Sequence, residues 1–288
     1  MNNIRLDREY VERSLLRRLD AWLALPETAG ARLGGVVIQR SPHPEADVKE
    51  ALKHSYHDCC SDSDITLIIR LPSGGSVTPA DYMAHPGRLG ITPDQYLGFL
   101  RTADSGIWRV VFRDGTRYDL GFEFICDDSL PAPELPAEPD RQDNPHWPME
   151  KVDAFWFIMI QALGKLYRRD YLIGSHLANM LVNETLVQQM VFRDMERGTT
   201  HHRYGFSEAL VWQQYEGRNP FVTGDAAFDG IADRLYAAAL AYDQLTKGFY
   251  PAYEARSGLL VDIWRCYHEN MAHAKIPDAH SAGAESIT

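Results

Sequence analysis

Apolar positions recur every three to four residues over residues 7–25. Tyr10, Val11, Leu15, Leu16, Leu19, Trp22 and Leu23 fall on one stripe with Arg and Glu between them. That spacing predicts an amphipathic helix, ended by Pro26. The run Leu33-Gly34-Gly35-Val36-Val37-Ile38 reads as a first strand, broken by Gln39-Arg40-Ser41-Pro42. Residues 45–58 are polar and predict a helix rich in His and Lys. Ile65-Thr66-Leu67-Ile68-Ile69 is β-branched and aliphatic, the pattern of a buried strand. Residues 71–90 carry several Gly and Pro and read as loop. Residues 92–100 read as a short helix, with Thr92 as cap and Pro93 in the first turn. Residues 107–112 and 118–125 are strands about an Asp114-Gly115 hairpin turn. On the second of these, alternation puts Asp119, Gly121, Glu123 and Ile125 on one face and Leu120, Phe122 and Phe124 on the other.

Between Leu130 and Pro148 stand Pro131, Pro133, Pro136, Pro139, Pro145 and Pro148, a stiff connector. Beyond it the periodicity is helical over 151–169, 171–196, 207–215, 226–245 and 253–271. The expected fold class is therefore α+β: a sheet with flanking helices over 1–130, a Pro-rich linker over 131–149, and an all-α bundle over 150–276. The small polar tail at 277–288 is expected to be disordered.

Composition narrows the function classes. The chain has 288 residues, 45% apolar and 24% charged, a balance typical of soluble globular proteins. A net charge of -11 argues against capture of nucleic acid or of an anionic membrane, and suits a small cationic partner. Cys59, Cys60, Cys126 and Cys266 match neither a disulfide framework nor a metal spacing, so reduced thiols and a cytoplasmic location are expected. The most apolar run, from Phe155 to Ile160, is far too short to span a bilayer. His54, His57 and the neighbouring cysteines fit no closed tetrahedral zinc site.

The chemistry concentrates at Ser61-Asp62-Ser63-Asp64-Ile65. A Ser/Asp turn opening a strand is the plain reading of this stretch. The functional reading starts from the two-residue period of a strand, which sends both carboxylates out of the same face. Paired carboxylates repel and resist burial. A hard divalent cation such as Mg²⁺ resolves that conflict with oxygen ligands. Asp119, on a neighbouring strand, can complete the ligand set or take a proton.

These motifs carry a resemblance. Ser41, the Asp62-x-Asp64 strand start, the segment Asp114-Gly115-Thr116-Arg117-Tyr118-Asp119-Leu120, Phe155-Trp156 and Gly164-Lys165-Leu166-Tyr167-Arg168-Arg169 together resemble the nucleotidyltransferase superfamily. Within it they are most similar to the aminoglycoside 6-adenylyltransferase (streptomycin adenylyltransferase-like) group, over roughly residues 5–270. The resemblance implies a nucleotidyltransferase-type mixed sheet followed by a helical acceptor-binding domain. It implies an antibiotic-resistance type of activity: transfer of AMP from ATP, with Mg²⁺, to a hydroxyl of a small cationic acceptor such as an aminoglycoside. Asp62, Asp64 and Asp119 would be the metal-binding and catalytic residues, and Ser41 would hold phosphate. Where the group has Gly before that serine, this chain has Arg40, whose guanidinium can itself bind phosphate. Lys165, Arg168 and Arg169, read as one helix face, are candidates for the triphosphate. His176, Asn179 and Asn183 form a polar stripe that, with Glu184, is a candidate acceptor surface. Neither membrane nor nucleic acid is expected as a partner, and the chain is expected as a monomer or homodimer. The other reading of the same residues is a catalytically inactive nucleotide-binding regulator of the same fold.

Overall fold

The first helix, α1 (Arg8–Leu23), is capped by Asp7, whose carboxylate accepts the Tyr10 N–H at 2.8 Å. It buries Leu15, Leu19, Trp22 and Leu23, as its stripe predicts. The computed structural model describes residues 6–34, 36–39, 45–53, 58–73, 85–102, 106–131, 143–199 and 209–273. Among these lie six strands and six α-helices, an α+β architecture.

The strands are β1 (Thr28–Leu33), β2 (Val36–Gln39), β3 (Ser63–Leu71), β4 (Tyr96–Thr102), β5 (Ile107–Phe112) and β6 (Arg117–Cys126). They form one sheet in the order β2-β1-β3-β6-β5-β4. Only β3 and β6 of the named pairs run parallel, so the sheet is mixed. Helix α2 (Glu45–Lys53) precedes β3 and covers the first half of the predicted helical stretch.

Two expectations are corrected here. The single strand expected over 33–38 is a hairpin. Gly34, at φ 55, turns the chain, and Val36 pairs back onto Leu33. The helix expected over 92–100 is a turn followed by β4. Gln95 donates its N–H to the Thr92 carbonyl at 2.9 Å, and from Tyr96 onward the chain pairs antiparallel with β5. Local capping signals lost to tertiary pairing of the aromatic Tyr-Leu-Gly-Phe-Leu run.

The hairpin turn at Asp114-Gly115 is as expected. The Asp114 carboxylate accepts the Thr116 N–H at 3.0 Å, and Gly115 sits at φ 83. A Cβ there would come within 2.9 Å of Leu6.

The helices after the linker are α3 (Met149–Tyr167), α4 (Tyr171–Arg197), α5 (Ala226–Phe249) and α6 (Ser257–His273). Only a short 3-10 turn, Val211–Tyr215, lies in the predicted 207–215 helix, whose first two residues fall outside the described chain. Residues 132–142 of the linker and the tail at 277–288 also fall outside it.

The sheet is covered on both faces. Ile65, Leu67, Ile69, Trp108, Val110, Phe112, Tyr118 and Leu120 pack with α1 and α2. The other face packs against α3, and Leu97 and Val111 join one hydrophobic cluster with the bundle. Helix α3 lies so close to β4 that a Cβ on Gly98 would meet the Asp153 carbonyl oxygen and the Phe157 nitrogen, the latter at 2.6 Å. At its other end, Gly164 rests on Cys60 in the loop before β3. Thus α3 runs across the sheet from β4 to the approach of β3.

A buried polar network fixes this crossing. Arg256 donates to Asp153 at 2.7 Å and to the Leu97 carbonyl at 2.6 Å. Tyr253 donates to Asp243 at 2.7 Å and accepts from Trp156 at 2.9 Å. No helix among the described residues is long and apolar enough to cross a membrane.

Candidate active site

The parallel pairing of β3 with β6 sets Asp64 directly beside Asp119. On the far side of β6, the β5 register sets Arg109 beside Asp119. The result is a lateral row, Asp64–Asp119–Arg109, across three neighbouring strands. One step toward the strand starts, Arg117 on β6 lies beside Asp62 on the lead-in to β3. All five side chains lie on the sheet face opposite α1, because their strand neighbours Ser63, Trp108, Val110, Tyr118 and Leu120 are the buried inward set.

The ion pairs follow the rows. Arg109 Nε stands 3.1 Å from Asp119 Oδ2, and Arg117 Nη2 stands 3.5 Å from Asp62 Oδ2. Arg117 is buried under α3, with Nη1 donating to the Cys60 carbonyl at 3.1 Å. Asp119 is 9% exposed, and its Oδ1 is buried with no hydrogen-bond donor. Asp62 is open, with its side chain 42% exposed, and Asp64 is exposed. Burial pushes the Asp119 carboxyl up to about 6, and the Asp62 charge adds to that push, while Arg109 acts against it.

A second contact positions the approach to β3. Arg168, at the C-terminal end of α3, forks onto Asp58 at 2.6 and 2.9 Å and reaches Ser61 at 2.9 Å. Burial works to raise the Asp58 carboxyl, but Arg168 and Ser61 outweigh it and hold it below the usual carboxylate range. Helix α3 therefore holds the segment that delivers Asp62.

The donor set suits a hard divalent cation. Three carboxylates offer oxygen ligands only, and the orphaned Asp119 Oδ1 lacks the partner that a buried carboxylate oxygen requires. Among the described residues, no group of three or more His, Cys, Asp or Glu side chains is gathered closely enough to hold a metal ion. Mg²⁺ does not need such a cage: it takes one or two carboxylates and completes its shell with phosphate oxygens and water.

The other predicted site residues divide. Arg40 and Ser41 lie outside the described residues. Lys165, Arg168 and Arg169 do not share a helix face, because α3 ends at Tyr167 and Arg169 takes a left-handed φ of 58. Lys165 instead pairs with Asp170 at 3.7 Å. His176, Asn179 and Asn183 lie on the exposed side of α4, which packs on α3 and α5, and Asn179 accepts from Arg234 at 3.0 Å. Glu184 is 4.0 Å from Lys151, at the start of α3. That is roughly 25 Å along the helix from Arg168, at 1.5 Å per residue. Glu184 thus lies toward the opposite end of α3 from Arg168. Glu123 pairs with Arg32 at 2.9 Å.

Arg109 and Arg117 carry no role in the sequence reading, and the structure places both beside the acids. Arg117 stands two residues before Asp119, and so on its face. The signal for Arg109 was weaker, because it needs the hairpin register counted across the turn. No family model matches this chain, and no curated protein matches it.

Proposed function

We propose that this protein is an ATP- and Mg²⁺-dependent nucleotidyltransferase that moves AMP onto a hydroxyl of a small, polar, cationic acceptor of the aminoglycoside kind. The observation that carries the reading is the Asp64–Asp119–Arg109 row, with Asp62 beside it and one Asp119 oxygen buried and unpartnered. Acids carried to one sheet face by neighbouring strands suit a metal-assisted phosphoryl-group chemistry.

Asp62 and Asp64 would hold the cation through their exposed oxygens. Bound Mg²⁺ supplies charge neutralisation on the triphosphate. Asp119, with its carboxyl near 6, is ionised at neutral pH yet basic enough to take the acceptor's hydroxyl proton. As that O–H bond breaks, the acceptor oxygen bonds to the α-phosphorus and pyrophosphate leaves with the bonding electron pair. Arg109 and Arg117 would orient the two aspartates. Arg168 would hold the Asp62 approach by its fork onto Asp58. The acidic balance of the chain and the open side of Asp62 and Asp64 favour an amine-bearing acceptor.

A second reading has one observation of its own. Asp62 and Asp119 are each ion-paired within the chain, so two of the three charges are balanced without a cation. That arrangement also serves a regulator that binds nucleotide and transfers nothing.

Pyrophosphate release separates the two readings. The protein is incubated with ATP, Mg²⁺ and a panel of aminoglycosides, beside an Asp64→Asn variant. The transferase reading expects acceptor-dependent release that the variant loses. Nucleotide binding with no release for any acceptor favours the regulator.

A further inference from the structure

A cavity of about 840 Å³ lies between α1, the β5–β6 turn and α6, and Asp62, Asp64 and Asp119 do not line it. One wall is a stripe of α1 that includes Tyr10, Ser14, Arg17 and Arg18, and the rest comes from the β5–β6 turn, the segment after the 3-10 turn Pro86–Leu89, and α6. Its size is that of a small-ligand site, and its lining is mixed: guanidinium and hydroxyl groups beside Leu89, Ile91 and Leu259.

The acids in this wall are already engaged. Asp114 Oδ2 accepts from Ser14 at 3.0 Å and from Arg18 at 3.2 Å, and its Oδ1 accepts from Thr116. Asp262 accepts from Arg265 at 3.1 Å. The cationic side chains of the wall outnumber its carboxylates. Three guanidinium side chains, Arg17, Arg18 and Arg113, line it beside two carboxylates, Asp114 and Asp262. Arg113 stands 3.6 Å from the exposed Glu254. A guanidinium meets an oxyanion with charge-assisted, paired hydrogen bonds.

We infer that this cavity is a second ligand site, for a small organic anion whose carboxylate or phosphate monoester meets Arg17, Arg18 and Arg113 while its apolar body lies against Leu89, Ile91 and Leu259. The inference does not depend on the transferase reading, since neither Asp62, Asp64 and Asp119 nor Arg109 and Arg117 line this cavity.

The test is calorimetric titration of the full chain in the presence of a chelator, with phenyl phosphate and benzoate as probes and phenol as the uncharged control. The expected result is saturable binding of at least one anion, with phenol more than about tenfold weaker. The contrast between phenyl phosphate and benzoate identifies the oxyanion. Arg17→Gln/Arg113→Gln should weaken the anion more than about tenfold, and Asp64→Asn should leave it unchanged. A Leu259→Trp variant, which fills the cavity from α6 without touching a charge, should abolish binding even if the double variant is unstable. No saturable binding of either anion, equal binding by phenol, full binding in the Leu259→Trp protein, or loss of binding in Asp64→Asn would each overturn the site.

Discussion

At the scale of single residues, Asp119 carries a conflict between stability and use. Its carboxyl is raised to about 6, against 3.8 for the free side chain, chiefly by burial. The folded state therefore holds this proton more tightly than the unfolded chain does. Its contribution to stability is full below the unfolded value and is lost as pH rises toward 6. In metal-free protein, Asp119→Asn should flatten that dependence between pH 4 and 6 and raise Tm at pH 7 by a few degrees, with transfer activity abolished. Thermal melts across pH in chelator check the first part; a variant that melts lower than wild type at pH 7 would refute it. Asp64 is exposed. Asp64→Ala should leave the melt nearly unchanged and lower kcat/KM by more than about a hundredfold, measured by pyrophosphate release.

At the scale of elements, the crossing of α3 over the sheet sets the site. Gly98→Val would drive β4 and α3 apart and should cost about 3 kcal/mol or more, because the obstructing atoms are backbone. Urea unfolding measures it, and a loss below about 1 kcal/mol would mean that α3 does not press on β4. At the other end, Arg168→Ala should change stability by under about 1 kcal/mol, since the pair with Asp58 is partly open, yet lower kcat about tenfold by freeing the Asp62 approach. Much of this layout was legible in the chain. The α1 stripe, the Asp114-Gly115 turn and the two-residue period about Asp62, Asp64 and Asp119 are local signals, and local signals survive folding. Residues 92–100 misled because Thr92-Pro93 caps a helix locally, whereas the strand fate of Tyr96 to Leu100 is fixed by β5 and α3, which are remote. The α3 end was misread for the same kind of reason. Lys165, Arg168 and Arg169 have helical spacing, but the chain leaves the helix at Tyr167. Arg109 needed the pairing register, which no single strand reveals.

At the scale of the whole molecule, sheet and bundle are joined by a shared core and by the Arg256–Asp153 pair, both nearly buried. Arg256→Met removes the guanidinium that balances the buried Asp153, and should cost about 3 to 5 kcal/mol by urea unfolding. The same joint fixes α3, and through it Cys60, Arg117 and Asp58, so activity in this variant should fall even where it remains folded. The central claim is that the acids of β3 and β6 bind one divalent cation together with a triphosphate. Its most direct test is titration with Mn²⁺ in the presence of an unreactive ATP analogue, followed by electron paramagnetic resonance, on wild type and on Asp62→Asn/Asp64→Asn. The account predicts one tightly held ion per chain in wild type and affinity at least about a hundredfold weaker in the variant. Equal affinity in the two proteins would contradict it.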